Sequence, residues 1–167
     1  FLHKALEKIW IEKHENLDDI EAVLNSCWDD SSFYDSIQSD EFKSEAKTIL
    51  IDYISHNKLP FSEKSFLEHE IKIKLDEDEF RGKLDRLDVD KENSISIIDY
   101  KTSKKKKTLN SIKKDIQLLY YSFLYIKKNH KSEFDFSINS KLIYLRDFED
   151  PEVQVDFTLD DLKDIEK

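Results

Sequence analysis

The chain has 167 residues, is 38% hydrophobic and 12% aromatic, and carries a formal net charge of −10. That length suits one domain spanning residues 1–167 with a full core. No run approaches 18 consecutive apolar residues, the length a membrane-spanning helix needs, and no signal peptide is visible.

The single cysteine, Cys27, excludes an internal disulfide and an all-cysteine zinc site, and it fits a reducing cytoplasm. Because the chain starts at Phe1 without a methionine, we expect it to be a fragment of a larger protein.

Residues 2–24 read as helical, with Leu2, Leu6, Ile9 and Trp10 at three- and four-residue steps. Ile20, Val23 and Leu24 continue the pattern after an acidic break at residues 16–19. Residues 25–39 read as a loop or short helical connection. A second helix is expected over 40–57, capped by Ser39 or Asp40, with Phe42, Ala46, Ile49, Leu50 and Tyr53 facing the core and Leu59-Pro60 ending it. Residues 66–75 then alternate, Ile71, Ile73 and Leu75 on one face and Lys72 and Lys74 on the other, as a half-exposed strand does.

Residues 80–101 are the centre of the chain. Leu84, Arg86 and Asp88 alternate with Asp85, Leu87 and Val89, residues 90–93 form a polar turn, and Ser94-Ile-Ser-Ile-Ile98 is β-branched and apolar. The second strand ends in Asp99-Tyr100-Lys101. Residues i and i+2 share a strand face, so Asp99 and Lys101 emerge beside Ile95 and Ile97. A buried carboxylate and ammonium need a partner or a metal, and Asp85 on the preceding strand is placed to be the second carboxylate. Hard oxygen ligands of this kind hold Mg²⁺ or Mn²⁺, and a lysine beside them can act on a phosphoryl centre. By itself an Asp-x-Lys triplet is common in a chain with 38% charged residues, and reads first as an ordinary strand-end salt bridge.

Lys104, Lys105, Lys106 and Lys107 follow directly, with Lys113 and Lys114 further on. The run reads either as a solvated loop or as a contact to a phosphate backbone. The one glycine of the chain, Gly82, stands three residues before Asp85, where average usage would give about twelve glycines in all. A strand glycine marks a bulge or a close backbone approach. A helix is expected from about 111 to 129, buried along Ile112, Ile116, Leu119, Tyr120, Phe123 and Ile126, with Gln117 and Tyr121 one turn apart beside that stripe. Residues 141–145 and 153–157 read as strands, and a last helix is expected from Leu159, capped by Thr158.

Gly82-Lys-Leu-Asp85-Arg86, Ile98-Asp99-Tyr100-Lys101-Thr102 and Gln117-Leu-Leu-Tyr-Tyr121 occur in the order and spacing of G-x-x-D-R, D-Y-K-T and Q-x-x-x-Y. In this the chain resembles the RecB-type branch of the PD-(D/E)xK nuclease superfamily, which includes the nuclease domains of RecB and AddB and the related CRISPR-associated exonucleases. Leu84 departs from the proline common before the first aspartate.

The resemblance implies a restriction-endonuclease-like core, a mixed β-sheet flanked by helices. It implies a Mg²⁺- or Mn²⁺-dependent DNA nuclease, the exonuclease part of a repair helicase–nuclease or of a related phage or CRISPR system. DNA and helicase domains or subunits are the expected partners. By the same resemblance Asp85 and Asp99 ligate the metal, Lys101 acts on the water or transition-state charge, and Gln117 and Tyr121 hold the site. His3, in the context His3-Lys-Ala-Leu6-Glu7, matches a family histidine that ligates the metal. Glu70, at the start of its strand, is either the family's pocket glutamate or a solvated edge residue, with Glu68 a less fitting candidate. Cys27 alone cannot supply the four-cysteine iron–sulfur cluster of some such nucleases. The alternative reading is a catalytically idle nuclease-fold module that binds DNA or a partner subunit.

Overall fold

The computed structural model describes residues 1–12, 16–57, 64–89, 94–129, 138–157 and 161. The chain forms two compact units, Phe1–Leu59 and Pro60–Lys167.

The first unit is helical: α1 (Leu2–Glu12), α2 (Leu17–Cys27) and α3 (Ser36–His56), with a 3₁₀ turn at Asp30–Ser32. Asn16 caps α2, its side chain accepting from the Asp19 amide at 2.8 Å. The expected stripes are buried at Leu6, Ile9, Trp10, Ile20, Val23, Leu24, Ala46, Ile49, Leu50 and Tyr53. Trp10 meets Tyr53 edge-on at 6.3 Å between ring centroids.

Two expectations change here. The third helix begins at Ser36, capped by Asp35 accepting from the Gln38 amide at 2.8 Å. Ser39 is instead buried inside the helix, accepting from the Trp28 indole at 2.8 Å and donating to Asp30 at 2.6 Å. That outside partner frees Ser39 from the capping role its type suggests. Phe42 is 43% exposed and leaves the core stripe to its neighbours; it tilts against Phe33 at 5.8 Å.

The second unit is a five-stranded sheet in the order β1-β2-β3-β4-β5: β1 (Lys64–Leu75), β2 (Asp78–Val89), β3 (Ile95–Lys101), β4 (Ile138–Tyr144) and β5 (Glu152–Asp156). All neighbours pair antiparallel except β3 and β4, which run parallel. A parallel pair needs a crossover, and α4 (Leu109–Ile112) with α5 (Ile116–Asn129) lies in it. Asp76, first residue of the tight turn between β1 and β2, takes a left-handed φ of 53°, a conformation Asp tolerates better than most residues.

Helix α5 covers the β1–β3 part of the sheet. Phe123, Leu124 and Tyr125 join Ile71, Leu84, Leu87, Ile95 and Ile97 in one apolar cluster. Ile112 and Leu118 form a second cluster with Leu142, Tyr144, Val155 and Phe157 over the β4–β5 side.

The single helix expected over 111–129 is broken at residues 113–115. Asp115 is the cause: its Oδ1 accepts from the amides of Gln117 at 3.0 Å and Leu118 at 3.4 Å, so it caps α5. The phase shifts with it, leaving Ile116 79% exposed and burying Leu118. The expected helix from Leu159 and its cap Thr158, and the polar turn at 90–93, lie outside the described residues.

Candidate active site

Strands β2 and β3 pair in register from Val89↔Ile95 to Arg86↔Ile98. Beyond that point the Asp85 side chain takes over from the ladder: its Oδ2 accepts from the Tyr100 amide at 2.8 Å. The carboxylate of one strand is therefore fastened to the residue between Asp99 and Lys101 on the other.

Asp99 is nearly closed off from solvent, its side chain 4% exposed, and its Oδ2 lies 2.6 Å from the Lys101 ammonium. Lys101, 25% exposed, also donates to Gln117 Oε1 at 3.0 Å. The Gln117 amide nitrogen in turn donates to the Tyr121 hydroxyl at 3.1 Å, one turn along α5. Asp85, Asp99, Lys101, Gln117 and Tyr121 are thus brought together by the middle of β2, the end of β3 and one helix.

Gly82 makes that helix position possible. A Cβ there would stand 2.6 Å from Leu124 Cδ1 and 3.1 Å from two Tyr121 ring atoms. The helix lies directly on bare backbone, as expected for a strand glycine at a close approach. Tyr120 adds a tie, its hydroxyl donating to the Arg81 carbonyl at 3.0 Å. Next to Asp85, Arg86 is buried and grips Asp88, its Nε donating to Oδ1 at 2.9 Å and to Oδ2 at 3.0 Å.

Glu70 is exposed, and its carboxylate turns to Lys72 at 3.1 Å. Glu68 occupies the more unusual position. Between the pairs Leu67↔Arg86 and His69↔Leu84 it stands opposite Asp85 in register, with a left-handed φ of 48° and an ion pair to Lys83. Strained backbone of this kind tends to sit at functional sites. Only its place two residues before Glu70 gave a sequence signal. His3 lies half-buried on α1, in the first unit.

Four successive lysines divide into two groups. Lys106 pairs with Asp147 at 3.0 Å and Asp150 at 3.2 Å. Lys107 pairs with Asp115 at 2.6 Å. Burial pushes the Asp115 carboxyl up, but its hydrogen bond and charge contact with Lys107 outweigh this and hold it below the usual range. Lys107 is raised, first by that hydrogen bond. Lys104 and Lys105 are exposed, with no ion pair among the described residues.

Among the described residues no three His, Cys, Asp or Glu side chains cluster as a ready-made cage. Two carboxylates fit Mg²⁺ nonetheless, since that ion keeps several waters and needs only one or two carboxylates beside substrate phosphate. No helix among the described residues is long and apolar enough to cross a membrane.

No curated protein matches the sequence. A sequence model of the PD-(D/E)XK nuclease superfamily matches residues 1–166, and the mixed five-stranded sheet with flanking helices agrees with the restriction-endonuclease-like fold of that group. The match spans essentially the whole chain, which therefore belongs to the PD-(D/E)XK nuclease superfamily.

Proposed function

We propose that the protein is a Mg²⁺- or Mn²⁺-dependent deoxyribonuclease of the RecB type, the exonuclease part of a repair helicase–nuclease or of a related phage or CRISPR system, working in the cytoplasm. Superfamily members are typically metal-dependent nucleases. The observation that carries the reading is the tie between Asp85 and Tyr100 beside the Asp99–Lys101 pair.

Asp85 and Asp99 would hold the ion, which when bound polarises a phosphoryl oxygen and makes its water more acidic. The Tyr100 amide orients the Asp85 carboxylate beside Asp99. Asp99 presents its carboxylate from a strand end almost sealed from water, where electrostatic contacts are strong. Lys101, aimed by Gln117, brings a positive charge to the attacking water or to the developing phosphorane. Tyr121 holds Gln117 in place and so acts through it.

The ligand role of His3 and a pocket role for Glu70 rest on the family resemblance alone. An idle module would show the same Asp99–Lys101 salt bridge, so chemistry must decide. The test is cleavage of linear DNA with Mg²⁺ or Mn²⁺: metal-dependent cleavage lost in Asp99→Ala supports the enzyme, and intact cleavage in that variant refutes it.

A further inference from the structure

The lysines after the site and the turn between β4 and β5 form one surface, held together by ion pairs. Lys106 binds Asp147 and Asp150 on either side of Phe148. The turn is also bonded within itself: the Asp147 side chain accepts from the amides of Glu149 at 3.3 Å and Asp150 at 3.0 Å. The bond from the Asp150 amide, and after it the one from Lys106, keep the Asp147 carboxyl below its usual range. On the loop's other side, the Lys107 amide donates to the Tyr144 hydroxyl at 2.9 Å.

The mooring has two consequences. First, Asp115, Asp147 and Asp150 engage Lys106 and Lys107, while Lys104 and Lys105 stand exposed with no ion pair among the described residues. Second, Phe148 is carried at the head of a braced turn and stays 47% exposed. A loop of exposed lysines tied through Lys106 to a turn that carries an exposed aromatic offers what a single strand requires. Its phosphates need charge and its unpaired bases need a flat face, whereas a duplex keeps its bases stacked inside. Lys104 and Lys105 follow Lys101 by three and four residues, so they lie within about 14 Å of it along the chain, about four nucleotide steps.

We propose that Lys104, Lys105 and Phe148 form a lip for single-stranded nucleic acid at the Asp85–Asp99–Lys101 site, phosphates on the lysines and a base on the phenylalanine. This rests on the nuclease reading for its direction but is tested by binding alone. Lys106 and Lys107 are the braces of the lip and touch no substrate.

The experiment measures anisotropy of labelled single-stranded and duplex oligonucleotides of equal length over a salt series, with the full chain. Lys104→Glu/Lys105→Glu should weaken single-strand binding at least about tenfold at low salt and flatten its logarithmic salt slope by about 1.4, two contacts at about 0.7 each. Phe148→Ala should weaken single-strand binding at least about fivefold and duplex binding far less. Lys74→Glu, an exposed strand lysine elsewhere, controls for generic charge. The proposal is overturned if the double reversal does no more than Lys74→Glu, or if Phe148→Ala leaves single-strand binding unchanged or weakens both substrates equally. A wild type that binds single strands through these residues yet cleaves nothing with Mg²⁺ or Mn²⁺ upholds the lip and removes the nuclease reading. Cleavage with duplex-only binding does the reverse.

Discussion

The Asp85 carboxylate accepts from the Tyr100 amide at 2.8 Å, where the ladder between β2 and β3 stops. One side chain thus both joins the strands and brings a second acid to Asp99. Asp85→Asn can keep an oxygen acceptor for that amide while removing the charge. It should stay folded, lose most Mn²⁺ affinity, and lower cleavage by about 10²-fold or more. Calorimetry with Mn²⁺ beside a cleavage assay checks this, and unchanged Mn²⁺ affinity would remove Asp85 from the ligand set.

Gly82→Ala should act on stability and activity together. The added carbon would press Leu124 and Tyr121, and Leu124 is fully buried. Overpacking of this kind costs about 1–3 kcal/mol. Displacing Tyr121 also disturbs Gln117 and, through it, Lys101. Denaturant melts should show a smaller cost of Gly82→Ala in a Leu124→Val background. An unperturbed Gly82→Ala protein would mean the helix does not rest on this backbone.

The hairpin of the site was legible because its evidence is local. The alternation of β2 and the run Ile95 to Lys101 need no distant partner. The alternating β1 and the strands β4 and β5 were visible for the same reason. What escaped depended on residues far apart. Asp115 breaks the expected helix, but its burial and charge are supported by Lys107 from the loop before it. Ser39 looked like a cap until Trp28 and Asp30 claimed its hydroxyl. The lysine run looked uniform, and only Asp147, Asp150 and Asp115 divide it. Glu68 is marked by its backbone conformation, which no composition rule shows in a chain with one glycine.

The Lys107–Asp115 pair should shape stability against pH at both ends. The Asp115 carboxyl is held low in the folded state, so its stabilising contribution is complete above its unfolded value of about 3.9 and is lost as pH falls through the folded value. Lys107 is held high, so its contribution is complete below about 10.4 and is lost as pH rises through its folded value. Asp115→Asn should flatten both limbs while keeping a capping oxygen. Thermal melts from pH 3 to 11 test this; limbs unchanged in Asp115→Asn would assign the pH dependence elsewhere.

Arg86 and Asp88 form a buried pair whose side chains are largely closed to water. Asp88→Ala strips the guanidinium of its bidentate partner and should cost about 3 kcal/mol or more. Replacing both residues by apolar side chains of similar volume should cost less than the single change. Urea melts of both variants decide; a double variant less stable than Asp88→Ala would show that Arg86 depends mainly on its other contacts.

The separation of ion holding from chemistry is the most direct test. Asp99→Ala and Lys101→Ala should be compared by Mn²⁺ calorimetry and by cleavage of linear duplex and single-stranded DNA. Asp99→Ala should lose both binding and cleavage. Lys101→Ala should keep the ion, or hold it tighter once the ammonium 2.6 Å from Asp99 is gone, and lose about 10²–10³ in rate. Wild-type cleavage by Lys101→Ala, or undiminished Mn²⁺ binding by Asp99→Ala, would contradict the account.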